Sequence, residues 1–153
     1  MNVDKIWVFH EGEGPLVAAA VHDGHAMRSE LGQHVALSES GRLREEDPYT
    51  AAWTDVVGVR IIGTRSRFEV DLNRAREKAV YLKPEDAWSL QVWHSELPED
   101  VVERSRAEYD LFYENLTTLF DGLVARYGRF VVYDLHTYNH RRDGADQPVA
   151  DPA

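Results

Sequence analysis

Apolar residues along this chain fall into short runs and one long periodic stretch. Residues 15–21 ("PLVAAAV") and 130–135 ("FVVYDL") are almost continuously apolar, the pattern of strands covered on both faces. Residues 56–62 ("VVGVRII") read as a third strand, and 67–72 ("RFEVDL") alternates, which predicts a fourth with one face exposed. Between Leu97 and Gly128, Val102, Tyr109, Phe112, Leu116, Leu119, Leu123 and Tyr127 recur at helical spacing. Pro98, Glu99 and Asp100 suit its first turn, Arg126 its last, and Gly128 its stop. Shorter helices are predicted from Pro84 over "PEDAWSLQVW" and from about Met27 in "HAMRSELGQHVAL", the latter weakened by Gly32.

Helices alternating with buried strands predict an α/β fold, a three-layer sandwich on a mixed, mostly parallel sheet. Residues 1–142 form the expected domain. Residues 143–153 are polar, aperiodic and rich in Pro and Gly, and read as a loop or disordered tail. Ligands of open α/β sheets lie beyond the carboxyl ends of strands, so the sheet is expected to continue past this point.

Composition narrows the function. With 153 residues, 43% of them hydrophobic, the chain is long enough for a real core. A formal charge of −10 argues against nucleic acid and against an anionic membrane surface as partners. No run approaches the ~20 apolar residues of a membrane span. The sequence has no cysteine, which fits a cytoplasmic protein and restricts any zinc site to histidine and carboxylate ligands.

The two most apolar strands share an unusual ending. One runs into His22 and the other into His136, so neighbouring strands would bring both imidazoles to one crevice. A catalytic zinc takes about three such ligands and keeps one position open. Candidates for the third are the carboxylates of "LREEDPYT" (Glu45, Glu46, Asp47) and His25 of "HDGH"; Asp134 is a candidate orienting acceptor. A histidine at a strand end is more often a hydrogen-bonded loop residue, so spacing by itself carries little weight. Arg65, Arg67, Arg74 and Arg76 around Asn73 suit a clamp for a carboxylate, although arginines in an acidic chain are commonly surface partners of its acids.

The block "SRFEVDLNR", with "KAVY" after it and "FVVYDLHTY" near the end, resembles in order and kind the N-formylglutamate amidohydrolase family. The resemblance extends from "FHEGEGPLVAAAVHDGH" to "YDLHTYNHR". It implies a phosphorylase/hydrolase-like fold related to the zinc carboxypeptidases, a Zn2+ cofactor and a small carboxylate substrate. By the same resemblance His22 and His136 are implied zinc ligands, with Glu46 the first choice for the third and Asp47 the reserve. Asn73 and Arg74 are implied to hold the substrate's carboxylate, and Arg67 to assist the reacting carbonyl or the clamp.

His25 departs from the family pattern, and "YNHRRDG" is closer to a divergent subgroup. The family's catalytic glutamate has no counterpart after His136, which leaves the base to a local group, to residues past 153, or absent. The implied activity is hydrolysis of the amide bond of an N-acylated acidic amino acid. Its rival is a ligand-binding module that keeps the hydrolase fold without turnover.

Overall fold

The computed structural model describes residues 5–140, 144 and 146. In chain order it contains β1 (Trp7–His10), β2 (Leu16–Ala20), α1 (Ser29–Gly32), α2 (Glu39–Glu45), α3 (Thr50–Trp53), β3 (Val59–Gly63), α4 (Glu99–Tyr127) and β4 (Val131–Asp134). Single 3-10 turns cover Thr54–Val56, Arg76–Lys78 and Pro84–Ala87.

The strands form one mixed sheet in the order β1-β3-β2-β4. β2 pairs in parallel with both β3 and β4, while β1 runs antiparallel to β3. This is the expected α/β architecture, a mostly parallel sheet with helices around it. Along β2 and β3, Val17, Ala19, Val59 and Ile61 face one layer and join Trp7 of β1 in the core. Tyr109, Phe112 and Leu123 of α4 pack on that face, with Phe112 edge-on to Trp7 at a centroid distance of 5.6 Å. Each such enclosed side chain contributes about 1.5–3 kcal/mol. On the other side Ala18 and Ala20, also buried, let α3 and the turn after it approach β2 closely.

α4 begins after Pro98 and ends at Gly128, whose φ of 76° suits glycine and whose N–H closes on Val124 O at 2.8 Å. Four expectations are corrected. β4, expected to be covered on both faces, is an edge strand exposed along its length. Residues 67–72 form turns, not a strand: Ser66 Oγ accepts from Phe68 N at 3.2 Å and Asp71 Oδ1 from Asn73 N at 2.9 Å, so side chains take hydrogen bonds a ladder would need. The helix around Met27 shrinks to Ser29–Gly32, after which Val35 bridges to Trp93. The helix from Pro84 stops at Ala87, because Trp88 turns left-handed. The 143–153 tail falls outside the described residues apart from 144 and 146.

Candidate metal centre

β2 and β4 are register neighbours, Ala19 opposite Asp134, so the residues just beyond them share one crevice. His22 follows β2 and His136 follows β4, and their ring centroids lie 5.0 Å apart. Between them stands Asp47, on the loop after α2. Its Oδ2 is 3.4 Å from His22 Nδ1 and 2.9 Å from His136 Nδ1. One ligand atom from each of the three falls within 4.8 Å of the other two. His22 and Asp47 are buried and His136 half-buried.

Backbone and hydroxyl contacts fix Asp47. Its N–H donates to His22 O at 3.0 Å, tying the loop to the end of β2, and Thr137 Oγ1 donates to its Oδ1 at 2.7 Å. Burial pushes the Asp47 carboxyl up, but the contacts from His136 and Thr137 outweigh this and hold it well below the usual carboxylate range.

His22 is oriented from behind. Its Nε2 lies 2.7 Å from Asp71 Oδ1, and Asp71 has no exposed surface. Burial raises the Asp71 carboxyl, yet His22, Arg67 and Tyr81 together bring it far below its ordinary value. An ionised Asp71 can only accept, which puts the His22 proton on Nε2 and leaves Nδ1 as a lone pair aimed at Asp47. That buried Nδ1 has no hydrogen-bond partner. Two acceptors face each other at 3.4 Å, an arrangement that a cation between them would satisfy.

His136 is held between two carboxylates, Asp134 2.9 Å from Nε2 and Asp47 2.9 Å from Nδ1. The Asp134 approach lacks hydrogen-bond alignment, leaving Nε2 without a partner. The two acids, Asp134 first, push the His136 pKa up to about 9. The donor set of two imidazoles and one carboxylate suits zinc, and the paired acceptors fit a divalent ion.

Glu46, the first choice for the third ligand, stands outside the cluster: its carboxylate accepts from Ser66 Oγ and pairs with His25 Nδ1, whereas Asp47, the reserve, lies between the two histidines. His25 in turn meets Arg42 Nη2 at 2.9 Å through Nε2, so it too stands outside the cluster.

The arginine block separates into distinct roles. Arg67 forks onto Asp71 Oδ2 at 3.2 and 2.8 Å and donates to Glu45 O at 3.1 Å, so it braces the residue behind His22. Arg74 approaches the same oxygen, Nε at 3.6 Å, lies 4.4 Å over the Tyr81 ring and donates to Asp86 O at 2.8 Å. Asn73 is exposed beside it. Arg65 pairs with buried Glu69, and Arg76 with exposed Asp110 on α4. Sequence reading passed over Asp71, Tyr81 and Thr137. The signal for Asp71 is an acid four residues after Arg67 inside a basic block, and for Tyr81 the end of "KAVY", whose hydroxyl donates to Asp71.

A family model described as N-formylglutamate amidohydrolase matches residues 14–152. The crystal structure of a gene product from Agrobacterium tumefaciens has a similar fold, with a TM-score of 0.71 at 18% identity over 92% of this chain. The present chain spans 60% of that protein's length. No curated protein matches the sequence.

Proposed function

Because the chain belongs to the N-formylglutamate amidohydrolase family, we propose that it is a zinc-dependent hydrolase of the amide bond in N-acylated acidic amino acids, N-formylglutamate among them. The observation that supports this reading most directly is the unpartnered, buried His22 Nδ1 turned towards the Asp47 carboxylate, with His136 completing the set. The composition, without cysteine and strongly acidic, suits a cytoplasmic protein acting on small molecules. Among the described residues no helix is long and apolar enough to cross a membrane.

In this reading His22, Asp47 and His136 hold the ion. Zinc bound there would supply Lewis acidity, activating water near neutral pH and polarising the scissile carbonyl. Asp71 keeps the His22 proton on Nε2, so that Nδ1 is available as a donor to the ion. Arg67 opposes the Asp71 charge from the far side, which keeps that carboxylate ionised while enclosed. Arg74 and Asn73 receive the substrate's acid group, Arg74 through charge and Asn73 through a directional amide. Arg67 is then a brace of the centre in place of a direct partner of the reacting carbonyl.

The test is release of formate from N-formyl-L-glutamate, with N-acetyl-L-glutamate in parallel, by zinc-loaded protein. Turnover that disappears in Asp47→Ala supports the proposal. A protein that binds zinc stoichiometrically yet hydrolyses neither acid would overturn it in favour of a ligand-binding module.

A further inference from the structure

The segment "PEDAWSLQVW" has the composition of a helix, yet the chain leaves the helical path at Trp88, where φ is 53° and ψ 36°, and Ser89 follows with φ 68°. Left-handed backbone is uncommon for non-glycine residues and rarer for bulky ones; two in succession persist only where the surroundings impose them. The surroundings here are specific. Ser89 N donates to Pro84 O at 2.8 Å and Leu90 N to Ala87 O at 2.8 Å, closing the turn on itself. Arg74 bolts the turn to the arginine block through Asp86 O.

This backbone lays the Trp88 indole over both guanidinium groups of that block. The Arg67 Cζ lies 4.9 Å and the Arg74 Cζ 5.6 Å from the ring centroid, and the Tyr81 ring stands 6.1 Å away. Arg74 therefore touches both rings, which meet beside it as two walls of a corner. Trp88 as a whole stays 39% exposed beside the site assigned to the substrate's acid. Aromatic faces over a guanidinium exclude water from it and strengthen its hold on an anion.

We infer that Trp88 is a specificity-determining residue for the proposed reaction, its indole forming the aromatic wall of the pocket in which Arg74 and Asn73 receive the substrate's carboxylate. The inference rests on the function proposed above and adds to it which residue sets affinity for the acid. A turn chosen only for its shape would have favoured glycine or asparagine at position 88.

The experiment compares Trp88→Ala and Trp88→Phe with the wild type. Three readouts are taken on the zinc-loaded protein: bound zinc, KM and kcat for N-formyl-L-glutamate, and calorimetric binding of glutarate. Trp88→Ala is expected to raise KM and weaken glutarate binding by about tenfold, with kcat falling less than about threefold and zinc content preserved. Trp88→Phe keeps a ring over the guanidiniums and should recover most of the lost affinity.

An unchanged KM and glutarate affinity in Trp88→Ala, or a loss that falls on kcat or zinc content, would overturn the inference and leave the hydrolase reading standing. Glutarate binding that depends on Trp88 in a protein without turnover would overturn the hydrolase reading and keep Trp88 only as the residue that sets affinity for the acid. A wild type that binds no glutarate, with a KM that Trp88→Ala leaves unchanged, overturns the inference outright.

Discussion

The Nε2 of His22 donates to Asp71 Oδ1 at 2.7 Å, and neither group reaches solvent to any useful extent. This single contact selects the tautomer of His22 and thereby turns a neutral nitrogen towards Asp47. The candidate metal centre is thus shaped by a residue outside the cluster.

Asp71→Asn tests that dependence. The amide can still accept from His22, but it no longer carries the charge that opposes Arg67, whose side chain is only 13% exposed. Zinc affinity should fall about 10–100-fold, as for other lost partners of ligand histidines. Stability should fall by about 3–5 kcal/mol because a buried guanidinium loses its counter-charge. Competition titration with a chromophoric chelator and chemical denaturation measure the two effects. Wild-type zinc affinity in this variant would show that His22 is oriented without Asp71.

Adjacent acids give a second, sharper comparison. Asp47→Ala removes a group in the cluster and should abolish zinc binding. Glu46→Gln alters a side chain directed to Ser66 and His25 and should leave binding within about threefold. Thermal melts with and without zinc report the difference. At a free zinc concentration 100 times Kd, the ion should stabilise wild type by about 2.7 kcal/mol. The reverse order, with Glu46→Gln blind to zinc and Asp47→Ala responsive, would restore Glu46 as the ligand.

In the proposed centre an ion would compete with a proton at His136. Without an ion its pKa is pushed up to about 9 from an ordinary 6.5, so at pH 7 the folded protein holds this proton. The raised value means that the contribution to stability from the charged ring is fully present below about pH 6.5 and is lost as pH rises through about 9. Zinc must displace the same proton, so its apparent affinity should rise with pH until about 9 and then level. Calorimetry at pH 7 in two buffers of different ionisation enthalpy should show about one proton released per zinc, and about none at pH 10. Equal release at both would place His136 outside the ion's ligands.

How much of this was readable beforehand follows from the range of the forces involved. α4 was legible because its apolar stripe is long and both ends carry local stop signals, from Pro98 to Gly128. His22 and His136 were legible as candidates because a continuous apolar run stopping on histidine is visible in one dimension. β1 is absent from the sequence-based expectations: four residues give no periodicity, and the strand exists by pairing with β3. The choice between Glu46 and Asp47 was beyond pattern reasoning, since it turns on one backbone change. Glu46 ends α2 with ψ 167°, an extended exit that redirects the chain at Asp47 towards the crevice, while the Glu46 carboxylate meets Ser66. Trp88 breaks a helix-forming stretch for contacts with Arg67 and Arg74 that only the folded chain provides.

Gly24 gives the last prediction. A Cβ there would stand 2.2 Å from the Thr64 carbonyl carbon and 2.4 Å from Arg65 N, both backbone atoms with no side chain able to give way. Gly24→Ala must therefore separate the turn after β2 from the segment after β3. Overpacking of this kind costs about 1–3 kcal/mol. His22 lies two residues before the clash, so zinc affinity should fall with stability. Gly122 supplies the control, because it lies on the exposed face of α4 with nothing within 4 Å of an added Cβ. Gly122→Ala should raise stability by about 0.5–1 kcal/mol through helix propensity and leave zinc binding untouched. Denaturant unfolding of both variants, with zinc titrations alongside, separates the two cases. A Gly24→Ala protein as stable as Gly122→Ala would mean that the His22 turn does not lie against the Thr64 backbone.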